Sequence, residues 1–325
     1  MIGFLSKRLA QSLLVMLIMS ALVFVAVFAI GNPVDVLIDP RATQAEINAA
    51  MKALGLDQPF WMQYKTFLAN LVKGDVGNSW VYNESALKIM MQRLPATLEL
   101  AISALVIAIV VGIPLGAYAG LKPDTPSARF IMGSSILSFS VPAFWVGLML
   151  IVIFGVKLHW LPIAGRGETI SVFGIPFSFL TLDGLSHLIL PAFTLSLSRI
   201  GMVIRLVRSG VREVLGQDYI KFARAKGLKE SRIVRVHVLK NALIPVITVM
   251  GADFAGLLTF AVVTETVFAW PGMGKLIIDS IAMLDRPMIV AYLMVTVLIF
   301  ILVNFIVDVL YAVIDPRISL TGAKS

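Results

Sequence analysis

RLVRSGVREVLGQDYIKFARAKGLKESRIVRVHVLKNALIP, Arg205 to Pro245, is the one long basic run in a mostly apolar chain, and it lies between two hydrophobic segments. Ten Lys/Arg (205, 208, 212, 221, 224, 226, 229, 232, 235, 240) stand against Glu213, Asp218 and Glu230, so this run carries +7 of the chain's +8. Within it, Gly216-Gln217-Asp218-Tyr219 reads as a helix start with Asp218 placed to cap. Tyr219 to Lys226 then makes two turns before Gly227 stops them. A second helix starts near Ser231 and runs toward the next apolar segment. The loop therefore presents a short helix at the tip of two longer ones, a shape suited to docking into a groove on a cytosolic partner.

The chain around this loop has 325 residues, 58% hydrophobic and 14% charged, against roughly 25% charged in soluble domains. That composition is of a membrane protein. With no cysteine there is no disulfide framework, thiolate metal site or cysteine nucleophile, and no cofactor is expected. The pI of about 9.8 does not call for nucleic acid, because Lys and Arg accumulate in cytoplasmic loops and little basic surface lies outside this one.

Upstream, Lys7 and Arg8 precede a charge-free run from Leu9 to Pro33, longer than the ~20 residues a bilayer crossing needs. It is too long for a signal peptide's apolar region and lacks a convincing cleavage site, so it reads as an uncleaved first span. Between Asn32 and Leu94 six basic and six acidic residues balance. Thr43-Gln44-Ala45-Glu46 is a capping box, with Gly55 suited to the helix stop. Phe60, Trp61, Tyr64, Phe67, Leu68, Leu71 and Val72 recur at helical spacing, predicting an amphipathic helix ended by Gly74.

Span two is predicted from Leu100 to Leu121 and span three from Phe130 to Val156, kinked at Pro142. The serines of span three (134, 135, 138, 140) serve close helix packing or a polar pathway. A loop from about Lys157 to Leu185 needs no helix. Span four, about Leu185 to Ile204, carries Arg199, and span five, Ala242 to Val263, carries Asp253. Trp270-Pro271-Gly272-Met273-Gly274 is a turn cluster, and span six runs from Pro287 to about Ala312. Arg199 lies seven residues from the cytoplasmic end of its span, ~10 Å, and Asp253 eleven residues into its own, ~16 Å. Charges at such depth pair or line a wet cavity. Ser138, Pro142, Arg199 and Asp253 are the candidates for lining a translocation pathway.

The expectation is an all-α membrane protein of about six transmembrane helices. Residues 1–31 form the first span, 32–96 a small extracytoplasmic helical insertion, 97–317 a five-helix core with a cytoplasmic coupling loop at 205–241, and 318–325 a cytoplasmic tail. Short loops set orientation. The second-to-third and fourth-to-fifth connections hold twelve basic residues against four in the other two, which puts the basic loop and both termini in the cytoplasm.

The loop resembles the permease loop of ATP-binding-cassette importers, whose general pattern is Glu-Ala-Ala, three residues, Gly, nine residues, then Ile, one residue, Leu-Pro. Gly227 takes the glycine, Ala223 the second alanine and Leu239 the leucine, while Lys221, Phe222, His237 and Lys240 differ. Asp218 through Leu228 is similar to the variant of the dipeptide, oligopeptide and nickel branch. So are Leu54-Gly55-Leu56-Asp57-Gln58-Pro59, Gly74-Asp75-Val76-Gly77, Arg93 through Leu98, Val141-Pro142-Ala143-Phe144-Trp145, His187 through Pro191, Trp270-Pro271-Gly272, Val307 through Tyr311 and Asp315-Pro316-Arg317. These match the first of the two permeases in such systems.

The resemblance implies a non-catalytic subunit of a bacterial inner membrane, forming half of a pathway for short peptides, with nickel chelates or glutathione as alternative cargo. It implies a homologous second permease, two cytosolic ATPases, an extracytoplasmic substrate-binding protein and surrounding membrane lipid. It also implies that Asp218, Tyr219, Ala223, Arg224, Ala225, Lys226 and Gly227 carry the coupling to the ATPases. Other classes fit less well. An intramembrane enzyme would need a His-Glu-x-x-His pair or a Gly-x-Ser-x-Gly elbow, which the sequence lacks. A self-contained ion-coupled transporter would bring internal repeats and several buried ionisable groups. Gly272-Met273-Gly274-Lys275-Leu276 lacks the upstream glycine and the Ser/Thr of a phosphate loop.

Overall fold

The computed structural model describes residues 2–29, 43–53 and 56–314. Along the chain run α1 (Ile2–Ala29), α2 (Gln44–Ala53), α3 (Phe60–Val72), α4 (Ala86–Leu121), α5 (Pro126–Ser140) and α6 (Ala143–Leu150), the last extended by a π-helical stretch, Ile151–Lys157. A hairpin of β1 (Ile170–Val172) and β2 (Ile175–Phe177) follows, then α7 (Leu182–Leu215) and α8 (Asp218–Ala225). The nearly continuous α9 (Glu230–Val267) passes through a π-helical stretch at Ile233–Val238. The order closes with α10 (Met273–Ala282) and α11 (Arg286–Ile314).

Among the described residues α1, α4, α7, α9 and α11 are long and apolar enough to cross a membrane. The pair α5 and α6 with its extension, counted as one broken span, brings the number to six. Their axes differ by 105°, so the single kinked helix expected from Phe130 to Val156 is two helices. The residue before a proline is pushed out of the helical region, and Val141 accordingly sits at φ −92°, ψ 126°. Pro142, lacking a donor, then starts α6 as its N-cap.

Three other segments differ from expectation. α4 begins at Ala86, well before Leu100, and its 36 residues make ~54 Å of helix, far more than a ~30 Å hydrocarbon core requires. The loop predicted to need no regular structure contains the antiparallel hairpin, turned by Phe173 and Gly174, both at positive φ, as a two-residue type I′ turn demands. The turn cluster at Trp270 leads straight into α10. The end of span one beyond Ala29, the Gly55 stop, Asp315-Pro316-Arg317 and the 318–325 tail lie outside the described residues.

The chain divides into two compact units, Met1–Leu94 with Leu276–Ser325, and Pro95–Lys275. In the first, α1 packs on α11 through Val23, Val290 and Met294. The apolar stripe of α3 sets Phe60, Tyr64 and Phe67 around Phe24, with ring centroids 5.1–5.5 Å apart. At α2 the capping box forms: the Thr43 amide donates to Glu46 Oε2 at 2.7 Å, and the Glu46 amide donates back to Thr43 Oγ1 at 3.4 Å. Asp285, fully buried, accepts from Ser79 Oγ and from the Trp80 amide at 3.2 Å.

The second unit is built on α7, whose apolar window is 67% buried against 39% for α4 and 33% for α9, which makes it the central helix there. Gly112, Gly116 and Gly120 of α4 face Val203, Val207 and Val211 of α7 so closely that a Cβ on any of them falls within 2.8 Å of the opposing valine. This is small-residue packing, by which membrane helices gain dispersion contact. Gly201 gives α5 the same approach from the other side, since a Cβ there would meet Ser138 Oγ and the Ser135 carbonyl.

Candidate functional site

Ser138, Pro142, Arg199 and Asp253, read from sequence as separate candidates, line one cavity of about 430 Å³. α5 contributes Ser138 and the break before α6 contributes Pro142. Arg199 projects from α7 and Asp253 from α9. Arg199 Nε donates to Asp253 Oδ2 at 2.8 Å, and Nη1 donates to Ser198 Oγ at 3.0 Å. The guanidinium carbon stands 5.1 Å from the centre of the Phe260 ring, a cation–π distance. The arginine side chain is 9% exposed and the aspartate 27%, so the pair faces the cavity with its carboxylate end. Phe139, Leu195, Met202 and Phe260 make most of the remaining wall apolar. Ser138 Oγ is satisfied within its own helix by the Ser135 carbonyl at 2.8 Å.

The second group of candidates sits on α8. Its inward residues, Ile220 and Ala223, are buried three apart in a cluster with Ile233 and Val238. That spacing puts Tyr219, Lys221, Phe222, Arg224 and Ala225 on the exposed side. Asp218 does not cap. Gln217 takes the extended N-cap conformation, with no side-chain cap, and Asp218 falls inside the first turn, where it accepts from Lys221 Nζ at 2.9 Å. At the other end Gly227 adopts φ +76°. Its amide donates to the Arg224 carbonyl at 2.9 Å and that of Leu228 to Ala223 at 3.3 Å, the two bonds of a Schellman stop. Arg224 Nε donates to Glu230 at 2.5 Å, Lys226 Nζ lies 4.6 Å from the Phe222 ring centre, and the Tyr219 hydroxyl accepts from Asn241 Nδ2 at 3.0 Å.

Sequence reading passed over two buried carboxylates of this unit. Glu99 Oε2 accepts Arg166 Nε at 3.0 Å and Nη2 at 2.5 Å, while Oε1 accepts the Ser178 amide (2.7 Å), Ser178 Oγ (2.8 Å) and the Phe179 amide (3.0 Å). This one side chain holds both ends of the hairpin segment against α4. Glu265, fully buried, accepts from Thr97 Oγ1 at 2.7 Å and from the Lys275 amide at 2.9 Å. Glu265 itself stands near the end of α9, and its carboxylate meets the first turn of α10 through that Lys275 amide, where the helix dipole favours an anion. Its carboxylate fills the space that a Cβ on Gly272 would occupy, which explains that glycine. The available signal was a lone acid at the head or tail of an apolar run, which must find donors.

A many-span membrane protein with a charged interior cavity and a helical tip belongs to the class of transport permeases. Residues 112–320 match the family of binding-protein-dependent transport system inner membrane components, and residues 1–101 match the N-terminal family of the same membrane components. The chain belongs to this family and is a non-catalytic inner-membrane permease subunit of an ATP-binding-cassette importer. It is 38% identical to the di/tripeptide transport system permease protein DppB of Pseudomonas aeruginosa and 37% identical to the glutathione transport system permease protein GsiC of Escherichia coli. Each comparison covers 98% of this chain and 99% of the relative. Among solved structures, a chain of the MetNI methionine ABC transporter, in an inward-facing conformation, shares the fold at a TM-score of 0.54 and 16% identity, over 70% of this chain and 96% of that one.

Proposed function

We propose that this chain forms half of the translocation pathway for short peptides and passes ATPase movement to that pathway through α8. The observation that carries the proposal is the two-sided character of α8: Ile220 and Ala223 anchor it in the core of the unit, while Tyr219 and Phe222 are 44% and 60% exposed among basic side chains. An element pushed at its exposed face and tied at its buried face moves the helices it is tied to. Asp218, Arg224, Ala225, Lys226 and Gly227 set its charge and its ends. The cavity at Ser138, Pro142, Arg199 and Asp253 is the pathway segment contributed by this subunit.

The positive-inside bias supports placing α8 and both termini in the cytoplasm, and residues 32–96, with α2 and α3, outside as an insertion ahead of the 97–317 core. A homologous second permease completes the pathway, two cytosolic ATPases bind at the α8 face, and a substrate-binding protein delivers cargo from outside. The di/tripeptide relative supports peptides. The glutathione relative supports a second reading within the same architecture, glutathione being itself a tripeptide, and a nickel chelate is the alternative of different chemistry.

The test of coupling is Gly227→Val in the reconstituted complex. A Cβ at Gly227 meets nothing within 4 Å, so the strain is that of the backbone at φ +76° alone, about 1–3 kcal/mol. Uptake should fall while the ATPases retain basal hydrolysis, and normal uptake per ATP would reject the role of α8. The cargo is tested by identifying the ligand that copurifies with the cognate binding protein, where a metal complex would displace the peptide reading.

A further inference from the structure

We infer that Arg199 and Asp253 form an exchangeable clasp for the two charged termini of a short peptide, the arginine taking the carboxylate and the aspartate the ammonium. The inference rests on the peptide reading above and names the chemistry of its site.

Three features of the cavity lead to it. First, the ion pair is half used. A guanidinium and a carboxylate usually meet through two parallel hydrogen bonds, yet here a single one, Nε to Oδ2, joins them. Arg199 Nη2 and Asp253 Oδ1 make no hydrogen bond among the described residues, and neither is among the buried unsatisfied atoms. Each residue therefore keeps a charged edge available to a ligand. Second, the two belong to different helices, α7 and α9, so separating them requires no change within either helix. Third, the remaining wall is largely apolar, through Phe139, Leu195, Met202 and Phe260, which accepts side chains of many shapes without reading them.

Charge balance determines which ligand opens the pair. Separating arginine from aspartate leaves two uncompensated charges in a poorly solvated space, which opposes opening. A ligand of one sign relieves only one of them. A zwitterion relieves both at once, exchanging one internal ion pair for two intermolecular ones, and a peptide with free termini is such a molecule whatever its side chains. The cavity volume of about 430 Å³ lies within the range of roughly 300–1,000 Å³ for small-molecule pockets. With no zwitterion present the pair closes on itself, so the empty state is neutral across this part of the path.

The experiment uses the complete importer with its binding protein in proteoliposomes, comparing wild type with the charge-neutral double variant Arg199→Gln/Asp253→Asn. The double variant leaves no unpaired charge, so assembly should be preserved. The probes are alanylleucine, its N-acetyl form and its C-terminal amide. Discrimination by the binding protein is common to both complexes and cancels when the ratio of free to blocked peptide uptake is compared between them. That ratio should be roughly tenfold to a hundredfold larger in wild type, the factor a charged hydrogen bond contributes. Arg199→Lys, which keeps the charge but not the planar fork, provides a second variant: it should reduce preference against the amide and leave preference against the N-acetyl form. Equal ratios in wild type and double variant, or in wild type and Arg199→Lys, would overturn the clasp while peptide uptake by wild type upholds the general reading. If wild type takes up none of the three peptides, the peptide reading falls and the clasp with it.

Discussion

Replacing Gly116 by alanine tests the helix packing on which the cavity unit rests. An added Cβ would lie 2.7 Å from the Ile204 carbonyl oxygen and 2.8 Å from Val207 Cβ, well inside the ~3.5–4 Å of a favourable contact. The carbonyl is part of the α7 backbone and cannot rotate aside, so the two helices must separate. Overpacking of this kind costs about 1–3 kcal/mol. Against it stands the gain of about 1 kcal/mol for alanine over glycine inside a helix. Gly133 of α5 separates the two contributions, because a Cβ there meets nothing within 4 Å and Gly133→Ala keeps only the gain. The difference between the two variants is therefore the overpacking alone, about 1–3 kcal/mol. Thermal unfolding of the chain, expressed without partner subunits and purified in one detergent, reads that difference directly. Gly116→Ala should melt below Gly133→Ala, and equal midpoints would refute the close approach of α4 and α7.

Asp253→Ala should lower the yield of assembled complex by leaving Arg199 uncompensated, at about 3–5 kcal/mol, and Arg199→Ala added to it should restore yield; additive losses in the double variant would reject the pair. Glu99→Gln presents an amide nitrogen to donors and leaves Arg166, whose side chain is 10% exposed, without its counter-charge, so limited proteolysis should cut faster between residues 157 and 181, and an unchanged rate would count against the Glu99 latch. The Thr43 amide, with its hydroxyl, holds the Glu46 carboxyl below the usual carboxylate range. A depressed folded-state value means the cap's contribution is fully present above the unfolded value near 4.5 and is lost as pH falls on through the lower folded-state value. The protection of α2 amides, exchange taken relative to the intrinsic rate at each pH, should therefore fall on acidification in wild type and stay constant with pH in Glu46→Gln.

The spans were legible because length and hydropathy are properties of a single segment. The break at Pro142 was legible in place but not in size: loss of one donor predicts a kink, whereas the 105° turn also needs Val141 driven into the extended region and α7 close to both pieces, to α5 at Gly201 and to α6 at Thr194, which faces Gly147. α10 was missed for a related reason. Glycines at 272 and 274 argue for a turn when read locally, but their small size is required by what packs on them, the Glu265 carboxylate at Gly272 and the Val262 backbone together with Glu265 at Gly274. Hydrogen bonds from backbone amides have no residue signature, so apart from Arg166 on Glu99, the partners of Glu99 and Glu265 are amides and hydroxyls that no search for opposite charges could find.

The Arg199 and Asp253 pair shows the opposite case, in which a long-range contact does follow from sequence. Helical rise is constant, so depth along each span can be counted from its cytoplasmic end, giving ~10 Å and ~16 Å. The offset of about 6 Å is within the reach of an arginine stem, and the structure closes it to 2.8 Å. Depth alone did not require the contact, because Arg199 could equally have extended toward the headgroups. What excludes that in the fold is the crowding of α7: Arg199 is among its buried residues, and Phe260 and Ser198 hold the guanidinium on the cavity side. Phe260→Ala should therefore loosen the arginine without removing any charge, lowering the coupling energy of an Arg199/Asp253 double-mutant cycle. An unchanged coupling energy would show that the carboxylate alone positions the guanidinium.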